Sequence, residues 1–595
     1  MLKSIGAAGI GGASMALFDS EIVQGLAPQS IERSEVDWSG SEDGDAEGTF
    51  PLSVASGGPT DSGVILWTKI AADAAEGSTP AYVQVASDEE FSDVIYEGKV
   101  PAGKIDPDHD HIVKTDLDGE LPADAHLYYR FQYAGTTSQT GRCRTLPEPD
   151  TSPGSVKLAI ANCQLFQHGY YPAYSYIADA DVDYIVHLGD QIYEYAGEDG
   201  YGDPVDLEGR GISLLSGNDV AWTLEDFRHL WRRYRGDRFF QRALECHTFV
   251  PTWDDHEIIN NRYWDYENDR PWADSHPKND DPEFMRQLFV EGIKAWWEYN
   301  PARVAYDPDA DSILDSFHMW RSLRGPARTP RYGRAALQLA APGGDAAGQR
   351  QFAIPPGAPE ADDADRTMLG FEQREWFLDT LKETDATWKA WANEVALSPL
   401  WLAFSDAGQF ARNYDAWGGY EHERREIMGQ LTHFDVDNFL TFTGDLHSYL
   451  ASYLMNDWEA VENRGPIRPA EETVGVELMA PAITSNPGIA DIWGKKGRTD
   501  VESESPSLTS ETLSEVVTEE SPHVEFFNAK YNGYAIAEFT HEEATWSAYA
   551  VDDTVDEPDA PRALLRKFRI PEGEVTLEEL EAAEGLPNDP LNDGS

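Results

Sequence analysis

The sequence predicts an α/β protein in two parts, an N-terminal β-sandwich followed by a larger α/β core. Two changes of texture along the chain carry that prediction. Between Phe50 and about Pro147, short alternating runs follow one another with turn residues between them. Examples are Gly63-Val64-Ile65-Leu66-Trp67, Ala81-Tyr82-Val83-Gln84-Val85, His111-Ile112-Val113-Lys114 and Leu127-Tyr128-Tyr129-Arg130-Phe131-Gln132-Tyr133. About seven such strands in roughly a hundred residues are the signature of a sandwich. After Pro153, apolar runs alternate with helical stretches, as βαβ units around a parallel sheet require. With 595 residues the chain buries a sizeable core without staples. Its three cysteines, Cys143, Cys163 and Cys246, cannot all pair, so it is no disulfide scaffold.

The elements follow in order. Ile5–Phe18 is a small-residue apolar run of signal-peptide length, too short to span a bilayer and preceded only by Lys3. It resembles the core of a twin-arginine export signal without the Arg-Arg pair, so residues 1–20 are read as a partial export signal and the protein as secreted or held at the cell surface. Residues 21–48 are acidic and Ser/Gly-rich and read as linker. The sandwich occupies 49–148, with no cluster of reactive groups. The α/β core occupies 154–555. It opens with strands Val156–Cys163 and Asp183–Asp190 joined by a helix over Tyr171–Ala180. Thr223-x-x-Asp226 reads as a capping box opening a helix through Arg235. Further helices are expected over Pro282–Tyr299, stopped by Asn300-Pro301, and over Phe371–Lys382 and Glu421–Leu431, with a late strand at Asp437–Asp445. Residues 556–595 read as an acidic tail with one short helix starting at Thr576.

Charge narrows the function. Lys and Arg number 46 against 107 Asp and Glu, a formal net charge of −61. Such a surface repels phosphate backbones and anionic lipid, which excludes non-specific nucleic-acid or membrane-surface binding as the main role. Disorder is excluded by 18 Trp, 26 Tyr and 24 Phe, far more core material than a solvated acidic chain carries. Carboxylates spread over a folded surface suit multimolar salt, where screening is nearly complete, and the expectation is a halophilic protein. No other run approaches 18 apolar residues, so no integral membrane segment is expected.

The chemistry sits where four strands end. Ile160-Ala161-Asn162-Cys163 closes on a thiol, and His187-Leu188-Gly189-Asp190 closes on a carboxylate with Tyr193 a turn later. Trp253-Asp254-Asp255-His256-Glu257 is followed by Asn260-Asn261, and Thr443-Gly444-Asp445-Leu446-His447 closes on Asp-x-His. Taken singly, each has a duller explanation: a buried core thiol, a turn, a solvated acidic loop. Four in succession at predicted strand ends converge on one crevice of an α/β sheet. Sulfur, nitrogen, carboxylate and phenolate donors together suit more than one metal ion.

These motifs, with Gly169-Tyr170-Tyr171-Pro172-Ala173-Tyr174 and Gln191-Ile192-Tyr193-Glu194-Tyr195, resemble the PhoD-type alkaline phosphatase/phosphodiesterase family. The resemblance runs over nearly the whole chain after residue 49, including Val54-Ala55-Ser56-Gly57 and His523-Val524-Glu525-Phe526-Phe527-Asn528. It implies a fibronectin-III-like N-terminal domain and a four-layer α/β/β/α metallophosphoesterase core. It also implies a ferric ion (Fe3+) on Cys163, Asp190, Tyr193 and His447, and calcium (Ca2+) on Asp190, Asn260 and Asp445, with Asn261 the weaker candidate beside Asn260. Asp190, Asp255, His256 and His447 become the catalytic candidates, Asp255 and His256 at the substrate's edge and His256 as general acid. The implied activity is hydrolysis of extracellular phosphate esters. The protein is expected to be a monomer without a nucleic-acid-binding module, and to use the twin-arginine machinery if its true N-terminus is longer.

A second class is a non-catalytic, calcium-binding surface protein on the same fold. Residues 321–360 keep it in play. They hold six Arg against Asp345 and Glu360 and show no strand alternation, where the family has a buried strand. The pattern resumes at Asp365-Arg366-Thr367-Met368-Leu369-Gly370, as a compensated pair of frame shifts over roughly 324–360 would leave it, the alternative being a real insertion or substituted loop. A missing strand would cripple the chain.

Overall fold

The computed structural model describes residues 29–582 apart from 39–44, 149–150, 197–206, 266–269, 307–336, 341–361, 401–415, 459–472, 486–509 and a few isolated positions. The expected export signal lies outside the described residues.

The N-terminal strands are β1 (Val54–Gly57), β2 (Ile65–Lys69), β3 (Ala81–Ala86), β4 (Val94–Val100), β5 (Ile112–Asp116), β6 (His126–Tyr133) and β7 (Gly141–Arg144). They form two sheets, with β5, β2 and β1 adjacent in one and β7, β6, β3 and β4 in the other. Val54, Leu66 and Val113 of the first meet Val83, Tyr96 and Phe131 of the second in one apolar cluster. The sandwich is therefore as expected, but its boundaries are not. Gln29–Ser30 pairs with β5 and Glu32–Arg33 with β4, so part of the 21–48 segment read as linker edges both sheets.

The core begins with β8 (Ser155–Ala161), α1 (Pro172–Asp179), β9 (Tyr184–His187), α2 (Leu224–Arg235), α3 (Arg238–Cys246), β10 (Thr248–Pro251) and α4 (Pro282–Tyr299). α2 starts as the sequence predicts: Thr223 accepts the Asp226 N–H, and the Asp226 carboxylate accepts the Trp222 N–H at 3.1 Å. The parallel strands β8, β9 and β10 continue directly into the first sandwich sheet, because β10 pairs with β1 at Phe249 and Gly57. A Cβ at residue 57 would lie 2.5 Å from the Phe249 carbonyl and 2.3 Å from that of Pro301, so this junction requires glycine. The two parts thus share one 11-stranded sheet. Arg228 of α2 clamps the junction: it donates to both carboxylate oxygens of Glu298 at 2.8 and 2.6 Å and to the Asp108 carbonyl at 2.6 Å.

A second sheet contains β11 (Leu337–Ala340), β12 (Trp388–Ala392), β13 (Phe439–Thr443), β14 (Tyr449–Met455), β15 (Thr473–Met479) and β16 (Val524–Asn528), in the order β11-β12-β13-β15-β14-β16. β11 corrects the expectation that residues 321–360 lack a strand: it pairs in parallel with β12, Leu337 opposite Trp388. Four residues set in an Ala/Gly/Pro/Arg background leave too short an alternation to be noticed, while a neighbouring strand supplies the pairing.

Alternate side chains of β8 separate the layers. Ala159 and Ala161 face the helical side with α1 to α4, whereas Leu158 and Ile160 face the second sheet. Across that interface Phe539 meets Trp388 and Phe442 at ring separations of 5.9 and 6.2 Å. Helices α5 (Phe371–Glu383) and α6 (Glu421–His433) cover the far side, Phe377 lying 4.7 Å from Trp391. The result is a mixed α/β fold whose core stacks helices, two sheets and helices.

β17 (Gly533–Thr540), β18 (Glu543–Val551), β19 (Arg562–Pro571) and β20 (Glu578–Ala582) complete the first sheet in that order beyond β8. This corrects the C-terminal reading. Residues 556–582 are not a tail, and the helix expected at Thr576 is instead strand β20, paired with β19. The Glu-rich stretch reads as helix by propensity, but the open edge of β19 and a buried Leu577 decide for strand.

Candidate metal centre

The four strand ends meet. β8 ends just before Cys163, β9 just before Asp190, β10 just before the Asp254–Asn261 turn, and β13 just before Asp445 and His447. Cys163, Asp190, Asn261, Asp445 and His447 all have positive φ, between 49° and 61°. Non-glycine residues there cost roughly 1–3 kcal/mol each and persist where the surroundings over-determine them. Gly189, at φ 102°, precedes Asp190, and a Cβ on it would lie 2.4 Å from the Asp254 nitrogen. Glycine lets the β9 and β10 loops close on each other.

Two ligand groups result. One oxygen of Asp190, the Cys163 sulfur and a ring nitrogen of His447 lie within 4.8 Å of one another, and so do ligand atoms of Asp190, Asp255 and His256. Asp190 belongs to both. Tyr193, fully buried, places its Oη 2.9 Å from Asp190 Oδ2 and 3.3 Å from His447 Nε2, which adds a phenol to the first group. Asp445 is in neither group. Its backbone N–H is directed at the Cys163 sulfur, and its carboxylate, partly exposed, acts on Asp190 and Asp254 through charge. Asn260 and Asn261 follow on the Asp255 turn, their N–H groups donating to Glu194 at 2.7 Å and to Asp255.

The electrostatics fit a cation. Burial, reinforced by the neighbouring carboxylates, pushes the acids of Asp254 and Asp445 well above the usual range. Burial does the same for Asp190, opposed by His256 and reinforced by Asp255 and Glu257. The Cys163 thiol is likewise pushed far up by burial and then by Asp190, Asp254 and Asp445. Buried Oδ2 of Asp254 and Oδ1 of Asn162 have no partner among the described residues. A thiol, a phenol, an imidazole and several carboxylates crowded together, opposed at Asp190 and Asp445 by the His256 imidazole, are a donor set that cations complete.

His256 is 4% exposed, and its Nδ1 lies 2.7 Å from Glu194 Oε2. Burial alone would push this imidazole down, but Asp255, Glu194 and Asp190 together hold it well above the ordinary histidine value. Its ring packs 4.1 Å from that of Tyr193.

Four contributors had no assigned role in the sequence reading. Glu194 orients His256 and carries the Asn260 N–H; it lies within a quoted motif, but only the fold shows its partner. Glu257 accepts the N–H groups of Asp190, Gln191 and Asp254 at 3.1, 2.6 and 2.7 Å, tying the β9 and β10 loops together. Asp254 faces the carboxylate cluster. Ser485 lies 2.9 Å from the Cys163 carbonyl and 2.7 Å from Tyr193 Oη, and at more than 290 residues from Tyr193 it leaves no local signal.

Comparison with known proteins identifies the family. Residues 158–548 match the PhoD-like phosphatase family, and residues 37–147 match the N-terminal domain of PhoD-like phosphatases. Alkaline phosphatase D of Bacillus subtilis (strain 168) is 29% identical over 534 residues, which span 87% of this chain and 80% of that protein. A solved structure described as "Structure of PhoD" superposes with a TM-score of 0.71 at 26% identity, covering 91% of this chain and 94% of that one. Among the described residues no helix is long and apolar enough to cross a membrane. On its matched domains and the fold that carries them, the chain belongs to the PhoD-like phosphatase family and is a phosphoesterase.

Proposed function

We propose that the protein is an exported phosphodiesterase, also acting on monoesters, that works with a ferric ion and calcium, both of which Asp190 would help to hold. The observation that carries this reading is the sharing of Asp190 between two ligand groups, each within 4.8 Å. Cys163, Tyr193 and His447 would join Asp190 around iron, which favours anionic donors. Asn260 and Asp445, which stand outside the Asp190–Asp255–His256 group, would join Asp190 around calcium on the strength of the family resemblance, since calcium takes carboxylate and amide oxygens at looser distances. Bound there, the ions would supply Lewis-acid polarisation of the phosphoryl oxygens and an acidified water.

The chain's own residues do the remaining work. Glu194 keeps the His256 Nδ1 proton engaged, so that Nε2 presents its proton to the leaving alkoxide. Glu257 fixes Asp190 and Asp254 through their backbone, and Ser485 holds the Tyr193 oxygen in place. The Asp255 carboxylate, tied to the Asn261 N–H, fixes the turn at the substrate's edge. Twin-arginine-type export, a monomeric state and activity in multimolar salt belong to the same reading and rest on the sequence.

The test is hydrolysis of a chromogenic phosphodiester by the purified chain in multimolar KCl with calcium, beside a chelated control. Activity supported by calcium and abolished by chelation is expected. A soluble, folded and metal-loaded protein without activity would overturn the reading and favour the non-catalytic calcium-binding alternative.

A further inference from the structure

Arg235, the last residue of α2, is fully buried at the junction of the two parts. Its guanidinium is boxed by aromatic faces, 4.8 Å from the Trp67 ring centroid, 5.7 Å from Phe240 and 5.8 Å from Phe249. Its single hydrogen-bond contact among the described residues is Asn300 Oδ1 at 3.5 Å from Nη2, and Nε and Nη1 are buried with no acceptor. No described carboxylate pairs with it: the groups that act on its charge are the hydroxyls of Tyr174, Tyr299 and Tyr129. The same aromatic wall holds a second unmet donor. His187, also fully buried, lies 5.8 Å from the Phe249 ring, on the same face of the sheet. Its Nδ1 accepts the Gly189 N–H at 3.3 Å, which leaves the proton on Nε2, and Nε2 has no partner among the described residues.

An uncompensated buried guanidinium is among the costliest arrangements in a protein interior, and ring faces offset only part of that cost. Burial pulls Arg235 down to about 9, and His187 down to about 3 with the Arg235 charge adding to the effect. Lys114 feels the same Arg235 charge: burial and then Arg235 push it well below its ordinary value, opposed by Glu298 and Asp116. The missing component is therefore an acceptor with negative charge, small enough to be enclosed by aromatic carbon and needing few donors.

We propose that Arg235 and His187 form a buried binding site for one monovalent halide ion, chloride, which neutralises the junction between the sandwich sheet and the core. The site is separate from the metal centre, and its test does not use activity. In thermal unfolding at fixed ionic strength and fixed metal, replacing potassium glutamate by KCl should raise the Tm of the wild-type chain by about 1–2 °C per tenfold rise in chloride above its dissociation constant. Arg235→Met, which keeps the apolar stem in the aromatic box, should lose that increment. An equal increment in the variant, or none in the wild type, overturns the proposal. If Arg235→Met fails to fold, wild-type crystals soaked in KBr decide. An anomalous bromide peak within hydrogen-bond reach of Arg235 Nε or Nη1 supports the site, and neutral water or empty space there refutes it.

Discussion

Glu194→Gln separates a positioned proton donor from a merely packed histidine. Glu194 and His256 are both buried, and their 2.7 Å contact is one hydrogen bond between charged groups. Such a bond contributes about 1.5–3 kcal/mol. Glutamine retains the size and an oxygen for the Asn260 N–H, but then turns its NH2 toward His256 Nδ1, where a protonated imidazole also carries a proton. At about 1.4 kcal/mol per unit, His256 should lose its proton about 1–2 pH units lower than in the wild type. The sign follows from the environment: the carboxylates hold His256 above its ordinary value, so removing one lets it deprotonate sooner. If His256 donates the proton to the leaving group, the alkaline limb of the kcat profile on a chromogenic phosphodiester shifts to lower pH by that amount. Activity on that limb falls roughly tenfold or more. A Glu194→Gln protein with wild-type far-UV CD and Tm but an unmoved alkaline limb would refute the reasoning.

Three further outcomes are expected. Asp190→Asn should abolish activity while leaving the far-UV CD spectrum intact, since Asp190 is common to both ligand groups; a fully active variant would remove the site assignment. A ferric phenolate at Tyr193 should give a visible charge-transfer band that Tyr193→Phe removes, and colourless wild-type protein with full activity would show that a different metal serves. Stripping the metals should make stability fall more steeply with pH. Asp190, Asp254 and Asp445 then hold their protons more tightly folded than unfolded. Their contribution is present below the unfolded value of about 3.9 and is lost as pH rises through the elevated folded values. Calorimetry at pH 5 and pH 8 should show a larger drop in Tm for stripped than for loaded protein.

Local chemistry wrote much of this molecule into its sequence. Alternation gives β1 to β7, a Thr223–Asp226 cap starts α2, and Asn300-Pro301 ends α4, because each depends on residues within a few positions. The convergence of Cys163, Asp190, Tyr193, His256 and His447 was legible for a related reason. They occupy contiguous motifs at strand ends, and parallel strands deliver their carboxyl ends to one crevice.

What stayed hidden depends on partners hundreds of residues away. Glu578–Ala582 is acidic and helix-like by composition, yet the open edge of β19 makes it a strand. Leu337–Ala340 is too short to signal itself and is fixed by β12. The sandwich and core look like separate domains until Gly57 meets Phe249 and merges their sheets. Ser485 joins Tyr193 and Cys163, and Glu194 finds His256, only once the loops have closed. Pairing across an edge and hydrogen bonding inside a closed cavity are properties of assembled surfaces. Their energies depend on burial and distance in space, and neither has a period along the chain.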